Sequence, residues 1–338
     1  MMDVSFWSCD ESAKSRFGFD WWWVLLFLKD PNPRHAMVVW SHRASPAKIN
    51  GLPYMPSLPV REGDETSAPM LASGWSYAGG QMNVPLMLQV YDARMRKDNV
   101  EYSKGGLLKK EDGGFRFTVN GDKEKYDLKM TPWNGEWKNQ TVVEKIGHGF
   151  IVLYSKSLKT EGTVTINGKT MQVSGSANLQ KVTTNVPLPP WYWGIAHGSG
   201  DNYVDYFFPY LGAALLQRHD KLTTTCDRTR LLLRRSFGFR HRESNTAVQF
   251  ENARIKITPH EETPAYTITA QRGREHAKAV FQTLGRARFL IESRRPFFYN
   301  GFPAELVDFE YNNDGEKVVL ADLGGVQASC EHAWGVVL

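Results

Sequence analysis

Asn167-Gly168 lies between two short alternating runs, Thr163-Val-Thr-Ile166 and Met171-Gln-Val173, and this is the tightest local constraint in the chain. Asn and Gly both accept the positive φ angles of a type I′ turn, whose twist matches that of two paired antiparallel strands. A hairpin is therefore predicted at this point. Trp21 to Leu28 is apolar on both alternating faces, the pattern of a strand buried on both sides. Pro31-Asn32-Pro33 then marks a turn, and Ala36 to Trp40 resumes the apolar run as a hairpin partner. Similar short strand patterns recur from Met87–Ala93 to His332–Val337, with helices expected only at Leu211–Gln217 and Glu275–Leu284. Many short strands with turn signals between them, and little helix, predict an all-β chain of barrels or sandwiches.

Residues 43 to 70 hold five prolines and little periodicity, so a long irregular connection is expected there. Val186-Pro-Leu-Pro-Pro190 is stiff and poor in backbone donors, which makes it the expected boundary between domains at 1–186 and 187–338. The 338 residues suffice for two domains of ordinary size. A formal charge of +5 is mild for this length and does not by itself point to nucleic acid. Cys9, Cys226 and Cys330 are far apart and odd in number, which argues against a disulfide framework or a zinc site and for a reducing, cytoplasmic setting. The longest apolar run has eight residues, too few to span a bilayer.

Trp191 to Gly212 concentrates two Trp, four Tyr, one His and two Asp, without Lys, Arg or Glu. Aromatic faces mixed with a few titratable groups suit a pocket for a large apolar molecule that passes through a cationic state. If 203 to 206 is a strand, Tyr203 and Asp205 share one face, and Val204 and Tyr206 the other. Asp201, after Gly198-Ser-Gly200, also reads as a turn residue bonded to nearby backbone, and Trp191 and Trp193 also read as core. His197 and His148 are loop histidines or bases. Arg228, Arg230, Arg234, Arg235, Arg240 and Arg242 surround Leu231-Leu-Leu233 and Phe237-Gly-Phe239. Such a run is a solvated strand face or a docking face for anionic lipid headgroups, the latter giving peripheral membrane contact.

With the hairpin Gly162–Gly175, the strand Trp191-Tyr-Trp-Gly194, the aromatic Asp20-Trp-Trp-Trp23 and a closing Gly324-Gly325…Glu331…Gly335, the chain resembles the carotenoid 1,2-hydratase superfamily. That group includes lipocalin-like Diels-Alderases and AttH-type proteins. The resemblance implies two lipocalin-like β domains packed together around an apolar, isoprenoid- or polyene-like ligand, with no cofactor and no metal. One departure stands out. Members often carry acidic and His residues followed by Trp soon after the Gly at 175, where this chain reads Ser176-Ala-Asn-Leu-Gln-Lys-Val182. Lys181 there reads as a solvated strand residue.

Acid-initiated hydration or cyclisation of a carbon–carbon double bond needs a protonated acid and an electron-rich wall. Asp205 and Asp201 are the expected acids, with His197 and Tyr203 beside them, and burial would keep such a carboxyl protonated. Trp191, Trp193, Tyr206 and Trp23 are the expected wall, and Glu331 is a second buried carboxylate facing the ligand. A non-catalytic carrier needs the same cavity without an acid, and a carbohydrate-active protein would show open Trp platforms.

Overall fold

The computed structural model describes residues 6–9, 15–134, 141–145, 150–218, 220 and 230–336. His148, Cys226 and Arg228 lie outside them. Strand makes up 69% of the chain and helix 3%, so the protein is all-β. The chain forms two compact units, 1–188 and 189–337, which divide inside the proline-rich run 186–190. Among the described residues no helix is long and apolar enough to cross a membrane.

The first unit begins with β1 (Phe19–Asp30) and β2 (Arg34–Arg43), paired as an antiparallel hairpin around the Pro31–Pro33 turn. The proline-rich connection that follows is less irregular than its composition predicts. It holds β3 (Ala47–Ile49), β4 (Leu52–Tyr54) and β5 (Val60–Glu62), because Asn50 and Gly51 take positive φ and close a tight turn between the first two. Then come β6 (Glu65–Ala78), β7 (Gln81–Arg96), β8 (Asn99–Tyr102), β9 (Gly106–Glu111), β10 (Gly114–Asn120) and β11 (Glu124–Thr131). β12 (Thr141–Lys145), β13 (Phe150–Ile166) and β14 (Lys169–Thr184) complete the unit. The hydrogen-bonded order β11-β10-β9-β8-β7-β6-β2-β1-β14-β13 returns to β11, closing a ten-stranded antiparallel barrel. Closure removes the unpaired sheet edges that would otherwise template aggregation. The predicted hairpin joins β13 to β14, with Ile166 opposite Lys169 and φ of 50° at Asn167 and 81° at Gly168.

Alternation on β1 sorts its residues cleanly. Trp22, Val24, Leu26 and Leu28 enter the barrel core with Val38 and Trp40, while Trp23, Leu25 and Phe27 point the other way and are buried too. The expectation for Lys181 fails here. Register places it opposite Trp22 on the inward face, where it is wholly buried, bonded to the equally buried Asp20 and 3.9 Å from the Trp22 ring centroid. Thr183 donates to the same carboxylate, and His42 stands opposite Asp20 on β2. A lone ammonium in a barrel core is prohibitive, and the partner from β1 makes the position tolerable.

The second unit contains β15 (Trp191–His197), β16 (Tyr203–Leu211), β17 (Leu231–Leu232), β18 (Ser236–His241), β19 (Thr246–Phe250) and β20 (Arg254–Thr258). It continues with β21 (Ala265–Arg272), β22 (Glu275–Thr283), β23 (Ala287–Glu292), β24 (Pro296–Asn313), β25 (Glu316–Val319) and β26 (Gln327–Gly335). Its main sheet runs β19-β18-β16-β15-β26-β24-β22-β21-β20 and curls around one core, to which β16, β18, β20, β21, β22, β24 and β26 all contribute. Both helix expectations fall. Leu211–Gln217 holds only a 3-10 turn at Ala213–Leu216, and Glu275–Leu284 is the strand β22. Burial along β22 alternates with period two (Glu275, Ala277, Ala279, Phe281 and Thr283 inward), so tertiary pairing overrides the helix propensity of its Glu, Ala and Lys.

Gly194 has a specific packing role. It lies opposite Tyr206, and a Cβ added to it would come within 2.4 Å of the buried Tyr206 ring. Gly194→Ala is therefore expected to destabilise the protein by about 1–3 kcal/mol through overpacking, read as a lower urea midpoint.

Candidate functional site

Strands β15, β26 and β24 lie side by side, and their odd-numbered residues share one face. Trp193 stands opposite Glu331, and Glu331 opposite Gly301; Trp191 and Tyr299 both stand opposite Ala333. Glu331 is thus the acidic residue at the centre of an aromatic frame, with the small residues Gly301 and Ala333 bringing no bulk beside it. The Trp191 indole nitrogen donates to Glu331 Oε2 at 2.9 Å, and the Tyr299 hydroxyl donates to Oε1 at 2.5 Å. Trp191 lies 5.4 Å from the Phe297 ring and 6.4 Å from the Tyr299 ring, and Phe289 lies 6.2 Å from Tyr299.

Glu331 is only 8% exposed. Burial pushes its carboxyl up to about 7, although the hydrogen bonds from Tyr299 and Trp191 favour the ionised form and pull the other way. Desolvation wins because no cation pairs with this carboxylate among the described residues. At neutral pH the group is therefore divided between acid and base forms, the condition in which a carboxyl both gives and takes a proton.

Of the other expected residues, His197, Tyr203 and Asp205 lie on the same sheet face as Trp191, Trp193 and Glu331, further along the strands, and Tyr206 does not. Tyr203 and Asp205 do share a face, which is also that of Ile195 and His197, while Tyr206 points into the core with Val204 and Phe208. Tyr206 is thus separated from Trp191 and Trp193 by the thickness of the sheet and cannot join them in one wall. Asp201 accepts a hydrogen bond from Arg240 Nε at 2.8 Å and lies 3.9 Å from Arg242, tying the start of β16 to the end of β18. His197 is buried at the end of β15, opposite Tyr203 and Gln327. Trp23 belongs to the first unit, on the face of β1 turned away from the barrel core. Among the described residues no cluster of His, Cys, Asp or Glu is placed to hold a metal ion.

The opposite face of β26 carries a second polar group that the sequence did not announce. His332 points inward, its Nε2 3.1 Å from the Tyr210 hydroxyl and its ring 4.2 Å from Tyr192 and 4.8 Å from Trp334. Arg286 Nε donates to Asn300 at 2.7 Å, Asn300 donates to the His332 carbonyl at 3.1 Å, and Arg286 also pairs with Asp220 at 2.6 Å. Burial first, then the positive charges of Arg286 and Arg230, hold His332 well below the usual imidazole range. It is a neutral imidazole in an aromatic cage. Only the alternation of β26, with Glu331 and His332 adjacent, was available in the sequence to flag it.

No family model matches the chain, and no curated protein matches it. Among solved structures, a Nitrosomonas europaea protein described as AttH is similar in fold, with a TM-score of 0.56 and 11% identity over 94% of this chain and 92% of that one. Kievitone hydratase from Nectria haematococca aligns over 96% of this chain and 92% of its own, with a TM-score of 0.46 and 11% identity. The first likeness is one of fold.

Proposed function

We propose that the protein binds a large apolar substrate of isoprenoid or polyene type and catalyses acid-initiated hydration or cyclisation of one of its double bonds, with Glu331 as proton donor. What carries this reading is a carboxyl held near neutrality by burial, inside a frame of Trp191, Trp193, Phe297 and Tyr299. Glu331 replaces Asp205 and Asp201 in that role. Asp201 is taken up by Arg240, and Asp205 stands between Ile195 and Gly238 on the neighbouring strands. The sequence resemblance to the carotenoid 1,2-hydratase superfamily supports the same class of chemistry.

Water is the only further reagent the steps need. The Glu331 O–H bond breaks as the π pair of the alkene forms a new C–H bond, leaving a carbocation and a carboxylate. The ring faces of Trp191 and Trp193 stabilise the cation, and the Tyr299 and Trp191 donors stabilise the carboxylate. In hydration, water adds to the cation and its surplus proton returns to Glu331. In cyclisation, a second double bond attacks instead, and the final cation loses a proton to the same carboxylate.

Lipid extraction and mass spectrometry of protein purified from its own host, wild type against Glu331→Gln, test the reading. A co-purifying isoprenoid whose chemical form differs between the two supports it. The same unmodified ligand in both indicates a carrier, and no apolar ligand in either overturns it.

A further inference from the structure

The end of β16 and the segment after it expose leucines that ordinary folding would bury. Leu211 pairs with Leu231 and Tyr210 with Leu232, so the short β17 extends the sheet at this point. Leu232 turns inward and packs on the core, which sends its neighbours outward. Leu231 is 64% exposed, Leu233 52%, Leu211 38% and Leu216, on the adjoining 3-10 turn, 67%. Single exposed leucines are ordinary, but these are four of the ten exposed large hydrophobic residues found among the described residues, on β16, β17, the residue after β17 and the adjoining turn.

The charge around them has one sign to spare. Arg218 and Arg235 are exposed at this end and carry no ion pair among the described residues. Among the described residues, the acidic groups next to these segments are engaged, Glu251 by Arg234 and Asp220 by Arg286. Protein-binding hot spots are built on Trp, Tyr and Arg and use few leucines, so it is the leucines, with no aromatic among them, that set this face apart. This patch combines flexible aliphatic side chains with guanidinium groups that have no ion pair among the described residues, the chemistry that inserts between acyl chains while pairing with anionic headgroups.

We propose that the Leu211–Leu216–Leu231–Leu233 face, with Arg218 and Arg235, docks the second unit onto an anionic lipid bilayer. The inference stands apart from the role given to Glu331, which lies on other strands.

Flotation with vesicles of phosphatidylcholine containing about one-third phosphatidylserine tests it, against vesicles of phosphatidylcholine alone. Wild type is expected to float with the anionic vesicles and to be released by high salt. Leu231→Glu with Leu233→Glu is expected to abolish flotation, and Arg218→Glu with Arg235→Glu to weaken it by roughly tenfold or more. All these side chains are exposed, and an unchanged circular dichroism spectrum certifies the fold of each variant. Failure of wild type to float overturns the proposal, as does undiminished flotation of the leucine variant. A concentration-dependent dimer lost in the leucine variant, without vesicle binding, assigns the face to a second copy of the chain and also overturns it. Glu331→Gln should float like wild type, so loss of turnover and loss of docking report on separate claims.

Discussion

Replacing Glu331 with Gln is expected to erase turnover while making the protein more stable above neutral pH. Gln keeps the shape, can still accept from the Trp191 indole and can meet the Tyr299 hydroxyl, but has no proton to give. Loss of a general acid lowers rate by roughly 10²–10⁴-fold. The stability change has the opposite sign. The folded-state value is about 7 against an ordinary 4.5, so the unfolded chain ionises first as pH rises, and folding is penalised progressively between those values. Above pH 7 the penalty is complete and amounts to about 3 kcal/mol on the usual conversion of pKa to free energy. Glu331→Gln removes it, so thermal melts at pH 8 should show a gain that shrinks toward zero at about pH 4.5. A variant less stable than wild type at about pH 8 would show that Glu331 is an ordinary structural carboxylate.

The second large effect is expected in the first unit. Lys181→Met leaves Asp20 buried without its cation, and the loss of one partner of a buried pair costs about 3–5 kcal/mol. Asp20→Leu combined with Lys181→Met removes both charges, and should restore most of that loss, because well-packed apolar side chains often replace a buried pair at little cost. Urea unfolding of the two single variants and the double variant closes the cycle. A Lys181→Met variant within about 1 kcal/mol of wild type would show that the pair is solvated in solution.

What the sequence made legible was local. The Asn167-Gly168 turn, the doubly buried run Trp21–Leu28 and the alternation of Tyr203 to Tyr206 are each determined within a few residues, and the structure has all three, with Trp21 alone in that run half-buried. What stayed hidden depends on which strand lies beside which. Spacing along the chain cannot reveal that Glu331 meets Trp191 and Tyr299, which come from two other strands, 140 and 32 residues away. Lys181 looks like a surface residue until the register of β1 and β14 puts it opposite Trp22. Glu275–Thr283 shows the converse failure: its residues favour a helix singly, and only its neighbours β21 and β24 make it a strand.

The alternation of β26 has a thermodynamic consequence for the unit that contains it. Glu331 keeps a proton that the unfolded chain would release above pH 4.5, whereas His332 refuses one that the unfolded chain would take up below pH 6.5. Between those two values, unfolding frees a proton at one residue and captures one at the next. The net proton exchange of this dipeptide on unfolding is then close to zero, and its contributions to the acid response of the fold cancel. One strand can thus hold an uncharged acid on one side of a sheet and an uncharged base on the other, while the molecule as a whole stays nearly indifferent to mild acidification at that point.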